Sequence, residues 1–165
     1  MESCSPELQA IKTAILNEHE GHQFYLLAAE KGGSDEVRNV FLYLAEEEQR
    51  HEYYLRRLYD AVENNIDMKK AEENCNLVKA PNIFKEEDLK REKPSLIVSA
   101  LSMAVKMEKE SLEFYREASA KTKDEKARKV YLELAEMEGE HLDTLNLAYD
   151  FAKNEWWAEQ GFSPA

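Results

Sequence analysis

The chain has 165 residues, a mass of 19.2 kDa and a formal net charge of −12 from 34 acidic and 22 basic residues. This length favours one domain that buries a core of its own, and the negative charge disfavours binding to nucleic acid or to anionic membranes. With only 5 Gly and 4 Pro, the composition suits helices with few breaks and makes an all-β fold improbable.

Neither the hydropathy nor the cysteines indicate a membrane or secreted protein. The most apolar stretch, residues 95–105, is too short to span a bilayer, and the first residues lack the basic-then-apolar pattern of a signal peptide. The 2 cysteines, Cys4 and Cys75, are too few for a disulfide framework and are interpreted as uninvolved thiols. We therefore expect a cytoplasmic protein that binds neither membranes nor nucleic acid.

Helical periodicity predicts an all-α four-helix bundle that forms one domain over residues 1–165. The helices are expected at about residues 6–31, 35–64, 95–121 and 124–154, followed by a short, irregular tail over 155–165 that packs its tryptophans on the body. Short connections join the first two helices and the last two helices, so each pair is expected to form an antiparallel hairpin. Residues 65–94 are predicted to be a long crossover, because about 14 extended residues could already retrace a helix of this length.

The apolar seam of every predicted helix is interrupted by a glutamate near its middle. The second and fourth helices each add a histidine three residues later, and the same positions recur at one offset, since 108−18, 138−48 and 141−51 all equal 90. The chain is therefore interpreted as a duplicated helix hairpin with pseudo-two-fold symmetry. The six residues expected in the core are Glu18, Glu48, His51, Glu108, Glu138 and His141.

This pattern predicts a site for two metal ions. A glutamate and a histidine three residues apart on a helix can contact one ion, and four carboxylates balance the charge of two divalent cations. Carboxylate and imidazole ligands suit iron or manganese, with zinc as a substitute. The alternatives are a solvated surface pair, which is the usual meaning of an isolated E-x-x-H sequence, and buried glutamates neutralised by hydrogen bonds alone.

The remaining polar residues are given structural interpretations. His22 lies in the first seam but its counterpart is Leu112, so it is expected to be packed or hydrogen-bonded, and His19 is expected to be solvated. Several glutamates off the seams are expected to form an exposed acidic face, namely Glu20, Glu46, Glu47, Glu110, Glu136 and Glu140.

Four stretches of sequence carry a resemblance to a known family. EHEGHQFY at 18–25, EQRH at 48–51, EKESLEFY at 108–115 and EGEH at 138–141 are similar to the rubrerythrin family of the ferritin-like superfamily. The resemblance implies a ferritin-like bundle with two iron ions. Glu48 and Glu138 would bridge the ions, Glu18 and Glu108 would be terminal ligands, and His51 and His141 would bind one ion each. It also implies that Tyr25 and Tyr115 bond to the opposing ligand carboxylates, the alternative being two core aromatic residues.

Two departures from the family pattern concern the third helix and the electron supply. Rubrerythrins that reduce peroxide usually carry an extra glutamate where this chain has Ser111, and its counterpart on the first helix is Gly21. The ligand set is therefore the simpler one of four glutamates and two histidines. The rubredoxin-like iron domain of full rubrerythrins is also not found, so we expect a stand-alone domain that takes electrons from an external donor such as a rubredoxin and its reductase.

The resemblance implies an oxidoreductase that reduces hydrogen peroxide or dioxygen in oxidative-stress defence. The alternatives are a ferroxidase or iron-handling protein with little turnover, and a structural bundle with a vestigial site. A homodimer is expected, because the long crossover could carry the second hairpin to a partner chain.

Overall fold

The computed structural model describes residues 5–31, 35–65 and 94–162. It contains four helices: α1 (Pro6–Lys31), α2 (Asp35–Glu63), α3 (Pro94–Lys121) and α4 (Glu125–Glu159). Each of the two sequential pairs, α1 with α2 and α3 with α4, packs along its length, and the hairpins meet through α2 against α4 and α1 against α3. The all-α four-helix bundle and its hairpin pairing are therefore confirmed, whereas the predicted crossover lies almost entirely outside the described residues.

Capping side chains explain where two of the helices begin. The Ser5 hydroxyl accepts a hydrogen bond from the Leu8 amide at 3.2 Å, which satisfies one of the free amides of the first turn of α1. Asp124 does the same for α4, because its carboxylate accepts from the amides of Lys126 at 2.8 Å and Ala127 at 3.0 Å. The C-terminal end of α2 is followed by Asn65, whose backbone adopts a left-handed conformation with a φ of 52°.

The last helix is longer than the sequence pattern predicted. It continues to Glu159 instead of ending near residue 154, and the chain turns only around Gly161, which has a φ of +82°. Trp156, Trp157 and Phe162 pack against one another in this region, and 40% of Trp157 is exposed.

The apolar core of the bundle is divided into two clusters. One cluster consists of buried apolar side chains within residues 11–14 of α1, 54–61 of α2, 112–115 of α3 and 127–135 of α4. The other consists of buried apolar side chains within residues 25–29, 40–45, 97–104 and 145–152 of the same four helices. On every helix the predicted polar positions fall between these two clusters along the chain. The bundle therefore places a polar layer in its middle, with hydrophobic packing at both ends.

Candidate metal centre

The six predicted side chains lie together in the middle layer of the bundle. All are almost fully buried, with exposed fractions of 0% for His51 and Glu138, 1% for Glu18 and His141, 2% for Glu108 and 4% for Glu48. Because the helices are long and packed at both ends by apolar clusters, their middles are held at fixed positions. A duplicated hairpin thus brings three residues from each half into one layer.

The ligand-type atoms form two overlapping groups. Glu18, Glu48, His51 and Glu138 offer one set of oxygen and nitrogen atoms that lie within 4.8 Å of one another, and Glu48, Glu108, Glu138 and His141 offer a second set. Glu48 and Glu138 belong to both groups. Each group has the number and type of atoms that a divalent transition-metal ion accepts, and the two shared carboxylates could contact both ions.

The two histidines face each other across the pseudo-two-fold axis. Their rings are 5.8 Å apart between centroids with planes 17° apart. His51 Nδ1 lies 3.3 Å from Glu18 Oε2 and 3.0 Å from Glu138 Oε1. His141 Nδ1 lies 3.5 Å from Glu138 Oε2 and 3.8 Å from Glu108 Oε2. Each imidazole therefore has two carboxylate oxygens beside its Nδ1 atom.

Several polar atoms of this layer have no hydrogen-bond partner among the described residues. They are Glu48 Oε1, His51 Nε2, both carboxylate oxygens of Glu138 and His141 Nδ1; the Glu138 oxygens and His141 Nδ1 have only the ion-pair contacts described above. A buried polar atom without a partner costs on the order of 1–3 kcal/mol, and more when it is charged. Five such atoms in one layer fit a site whose missing partners are metal ions.

Two tyrosines tie the hairpins together at the site. The Tyr25 hydroxyl donates to Glu108 Oε1, and the Tyr115 hydroxyl donates to Glu18 Oε1, so each hydroxyl reaches a carboxylate of the other hairpin. Both tyrosines are fully buried, and burial together with the neighbouring carboxylates raises their pKa, so the hydroxyls remain protonated donors. These hydrogen bonds hold Glu18 and Glu108 in position and leave one oxygen of each for another partner.

In the metal-free protein, burial and neighbouring charges favour the protonated form of most of the six buried side chains. Burial, and then the nearby Glu138, raise the pKa of Glu108 to about 8 and that of Glu48 well above its usual range. Burial would lower the pKa of each histidine, but the surrounding carboxylates outweigh it and raise the pKa of His141 to about 10 and that of His51 above its ordinary value. Burial likewise opposes ionisation of Glu138, yet Glu108 and the two histidines lower its pKa. In the metal-free protein, protons therefore neutralise the negative carboxylate charge that two divalent cations would neutralise in a loaded site.

The other predicted polar residues are separate from this layer, with one correction. His22 is half-buried and its Nδ1 donates to the Ala45 carbonyl oxygen at 2.7 Å, as expected for a hydrogen-bonded histidine. His19 is exposed, and its Nδ1 lies 3.2 Å from Glu52 Oε2. The prediction for Glu47 was wrong: its side chain is fully buried and pairs with Arg50, and its Oε2 has no partner among the described residues.

Glu47 is buried because α2 has a second seam. Val40, Glu47, Tyr54 and Ala61 are spaced seven residues apart, and all four are buried. The Tyr54 hydroxyl of this seam donates to Glu133 of α4 at 2.9 Å. Of the remaining glutamates in the predicted acidic face, Glu140 is half-buried and the others are exposed, namely Glu20, Glu46, Glu110 and Glu136.

Together these features describe a four-helix bundle of the ferritin-like, metal-binding type, with duplicated hairpins around a buried glutamate and histidine layer. Residues 9–149 match the model of the rubrerythrin family, so the chain belongs to that family. Among solved structures, a hypothetical protein from Pyrococcus furiosus is similar, with 27% sequence identity, a TM-score of 0.66, and coverage of 90% of this chain and 91% of that one. No curated protein matches the sequence.

No helix in the described ranges is both long and apolar enough to cross a membrane.

Proposed function

We propose that the protein binds two iron ions in the buried layer and reduces hydrogen peroxide or dioxygen with electrons from an external donor. The observation that carries this proposal is the pair of overlapping ligand groups that share Glu48 and Glu138. In this proposal Glu48 and Glu138 would be ligands of both ions. Glu18 and His51 would hold one ion, and Glu108 and His141 would hold the other.

The donor set fits iron. It consists of carboxylate oxygens and imidazole nitrogens without a thiolate, which suits iron and manganese and also admits zinc. Two ferrous ions, when bound, supply the two electrons that convert peroxide to water or begin the reduction of dioxygen. The protein fixes the spacing of the ions, excludes bulk water and keeps a neutral overall charge in the layer.

Tyr25 and Tyr115 serve this function as positioning residues. Each hydroxyl donates to the carboxylate that would be the terminal ligand on the other hairpin, which limits rotation of that carboxylate. Ser111 is half-buried near the layer and offers no additional carboxylate. The proposed site therefore works with six protein ligands. In this proposal the electrons come from a separate protein, such as a rubredoxin and its reductase, in the cytoplasm.

Rapid mixing of the iron-loaded protein tests this function. The anaerobic ferrous protein is mixed with hydrogen peroxide or with dioxygen, and iron oxidation is followed by absorbance. With a rubredoxin and its reductase present, steady peroxide consumption is expected, and Glu48→Ala should abolish it. If iron instead oxidises only as fast as fresh ferrous ion is added, whatever donor is present, the ferroxidase alternative replaces this proposal. If anaerobically prepared protein takes up no iron, both are wrong and the bundle is structural.

A further inference from the structure

A pocket on the α1 and α3 side of the bundle leads from the surface to the buried layer. Its volume is about 250 Å³, and we call it the α1–α3 pocket. Its lining contains pairs of residues at the 90-residue offset of the repeat, so it lies on the pseudo-two-fold axis. The three pairs are Asn17 with Met107, Glu20 with Glu110, and Gly21 with Ser111.

The inner end of the α1–α3 pocket is formed by two members of the layer, Glu48 and Glu108. These are also the two most exposed of the six side chains, at 4% and 2%, whereas the other four are 0–1% exposed. Glu48 additionally has an oxygen, Oε1, without a hydrogen-bond partner among the described residues. The buried layer therefore comes closest to solvent at this pocket, through a carboxylate that has a free acceptor.

Two small residues leave the pocket open. Gly21 has no side chain, and a Cβ atom placed there would lie 3.2 Å from Glu48 Oε2 and 3.3 Å from Glu48 Cγ. Such contacts are tight enough to require the Glu48 side chain to move. Ser111, the counterpart of Gly21 at the 90-residue offset, has a short side chain and is only half-buried. A larger residue at either position would narrow the way to the layer.

The two exposed acidic side chains at the mouth of the pocket are negatively charged. Glu20 and Glu110 lie on the solvent side, and the described lining contains no lysine or arginine. Exposed charges of one sign at a cleft raise the local concentration of oppositely charged ions and can increase association rates by about 10- to 1,000-fold. A neutral oxidant such as peroxide would gain nothing from this charge.

We propose that the α1–α3 pocket is the route by which divalent cations reach the buried layer, with Glu20 and Glu110 as a transient cation-binding pair at its mouth. The proposal rests on the proposed function only in requiring that the layer binds metal. The cation first meets Glu20 and Glu110, sheds water as it passes Gly21 and Ser111, and reaches the free oxygen of Glu48. Glu20 and Glu110 are thus positioning residues for loading and are not ligands of the final site.

The test compares the rate of Co²⁺ binding to the metal-free full-length protein with the amount of Co²⁺ bound at equilibrium. Binding is followed by stopped-flow absorbance at low cobalt concentration, where the rate is proportional to that concentration. The test variant is Glu20→Gln/Glu110→Gln. The matched control is Glu46→Gln/Glu136→Gln, which removes the same charge from two exposed positions that are also 90 residues apart and do not line the pocket.

At low ionic strength, Glu20→Gln/Glu110→Gln should slow loading by about fivefold or more, and the control by less than about twofold. In about 0.5 M salt the difference should largely disappear, because exposed charges are then screened. Both variants should bind two Co²⁺ per chain at equilibrium. A third variant, Ser111→Phe, should slow loading at every salt concentration, because it obstructs the pocket without removing a charge.

The possible failures are distinguishable. Unchanged loading in the Glu20/Glu110 variant, or equal slowing in the control, would overturn the route while leaving the metal site intact. Rapid loading by Ser111→Phe would also overturn it. If the unmodified protein binds no Co²⁺ at equilibrium, the proposed function itself is wrong and the route with it.

Discussion

Loading the site with metal should release about four protons at pH 7. In the metal-free layer, neighbouring carboxylates raise the pKa of His51 and His141, and burial raises the pKa of Glu48 and Glu108, so these four groups hold protons. Metal ligands must be deprotonated, so two divalent cations replace four protons. The product of the two binding constants should then rise by about 10⁴ per pH unit, equivalent to about 5 kcal/mol. Above pH 8 the slope should fall to about three protons, because Glu108, with a pKa of about 8, is already ionised.

Titration calorimetry with Zn²⁺ measures the released protons without redox chemistry. Titrations at pH 7 in two buffers with different ionisation enthalpies give the number of protons from the difference in apparent binding enthalpy. The exposed-site variant Glu136→Gln should give the same number as the unmodified protein. Release of fewer than about two protons per two Zn²⁺ would show that the metal-free carboxylates are already ionised, and would refute the charge balance deduced for the layer.

Four further outcomes are expected. Glu48→Ala should lower two-metal occupancy more than Glu18→Ala in competition with a chelator, because the first carboxylate contacts both ions; equal losses would contradict the bridging role. In urea unfolding, the free energy of unfolding of the metal-free protein should fall as pH rises from 6 to 9, because groups with a raised pKa bind protons more tightly in the folded state. Glu108 alone, with a pKa of about 8, should account for about 3 kcal/mol of this loss. A rise in the free energy of unfolding over this range would contradict the raised pKa values. Ferrous protein without a donor should consume about one equivalent of peroxide per iron pair and then stop, whereas sustained NADH oxidation by the isolated chain would reveal an unrecognised site of electron transfer. Light scattering at micromolar concentration should detect a dimer, and a monomer would count against hairpin exchange.

The middle layer was predictable because two independent regularities in the sequence coincide there. Polar residues interrupt the apolar seams, and the interruptions repeat at a 90-residue offset, so the four helices had to meet with these side chains at one level. The fold followed from the same seams and from the short connections. Neither inference required knowledge of distances between helices.

The error at Glu47 arose because one seam was taken as the whole buried face of α2. Glu47 belongs to a second seam of α2, and the seven-residue spacing of Val40, Tyr54 and Ala61 carried that signal in the sequence. The end of α4 was placed too early, near residue 154, although helix-compatible residues continue to Glu159. The α1–α3 pocket could not be predicted, because its size depends on the separation of two helices as well as on the small residues Gly21 and Ser111.

Anomalous diffraction from crystals of the iron-loaded protein would test the central claim most directly. Two iron peaks are expected about 3.5–4 Å apart in the middle layer, one beside His51 and the other beside His141, with Glu48 and Glu138 between them. A single peak, or peaks that lie away from these side chains, would contradict a two-iron centre in this bundle.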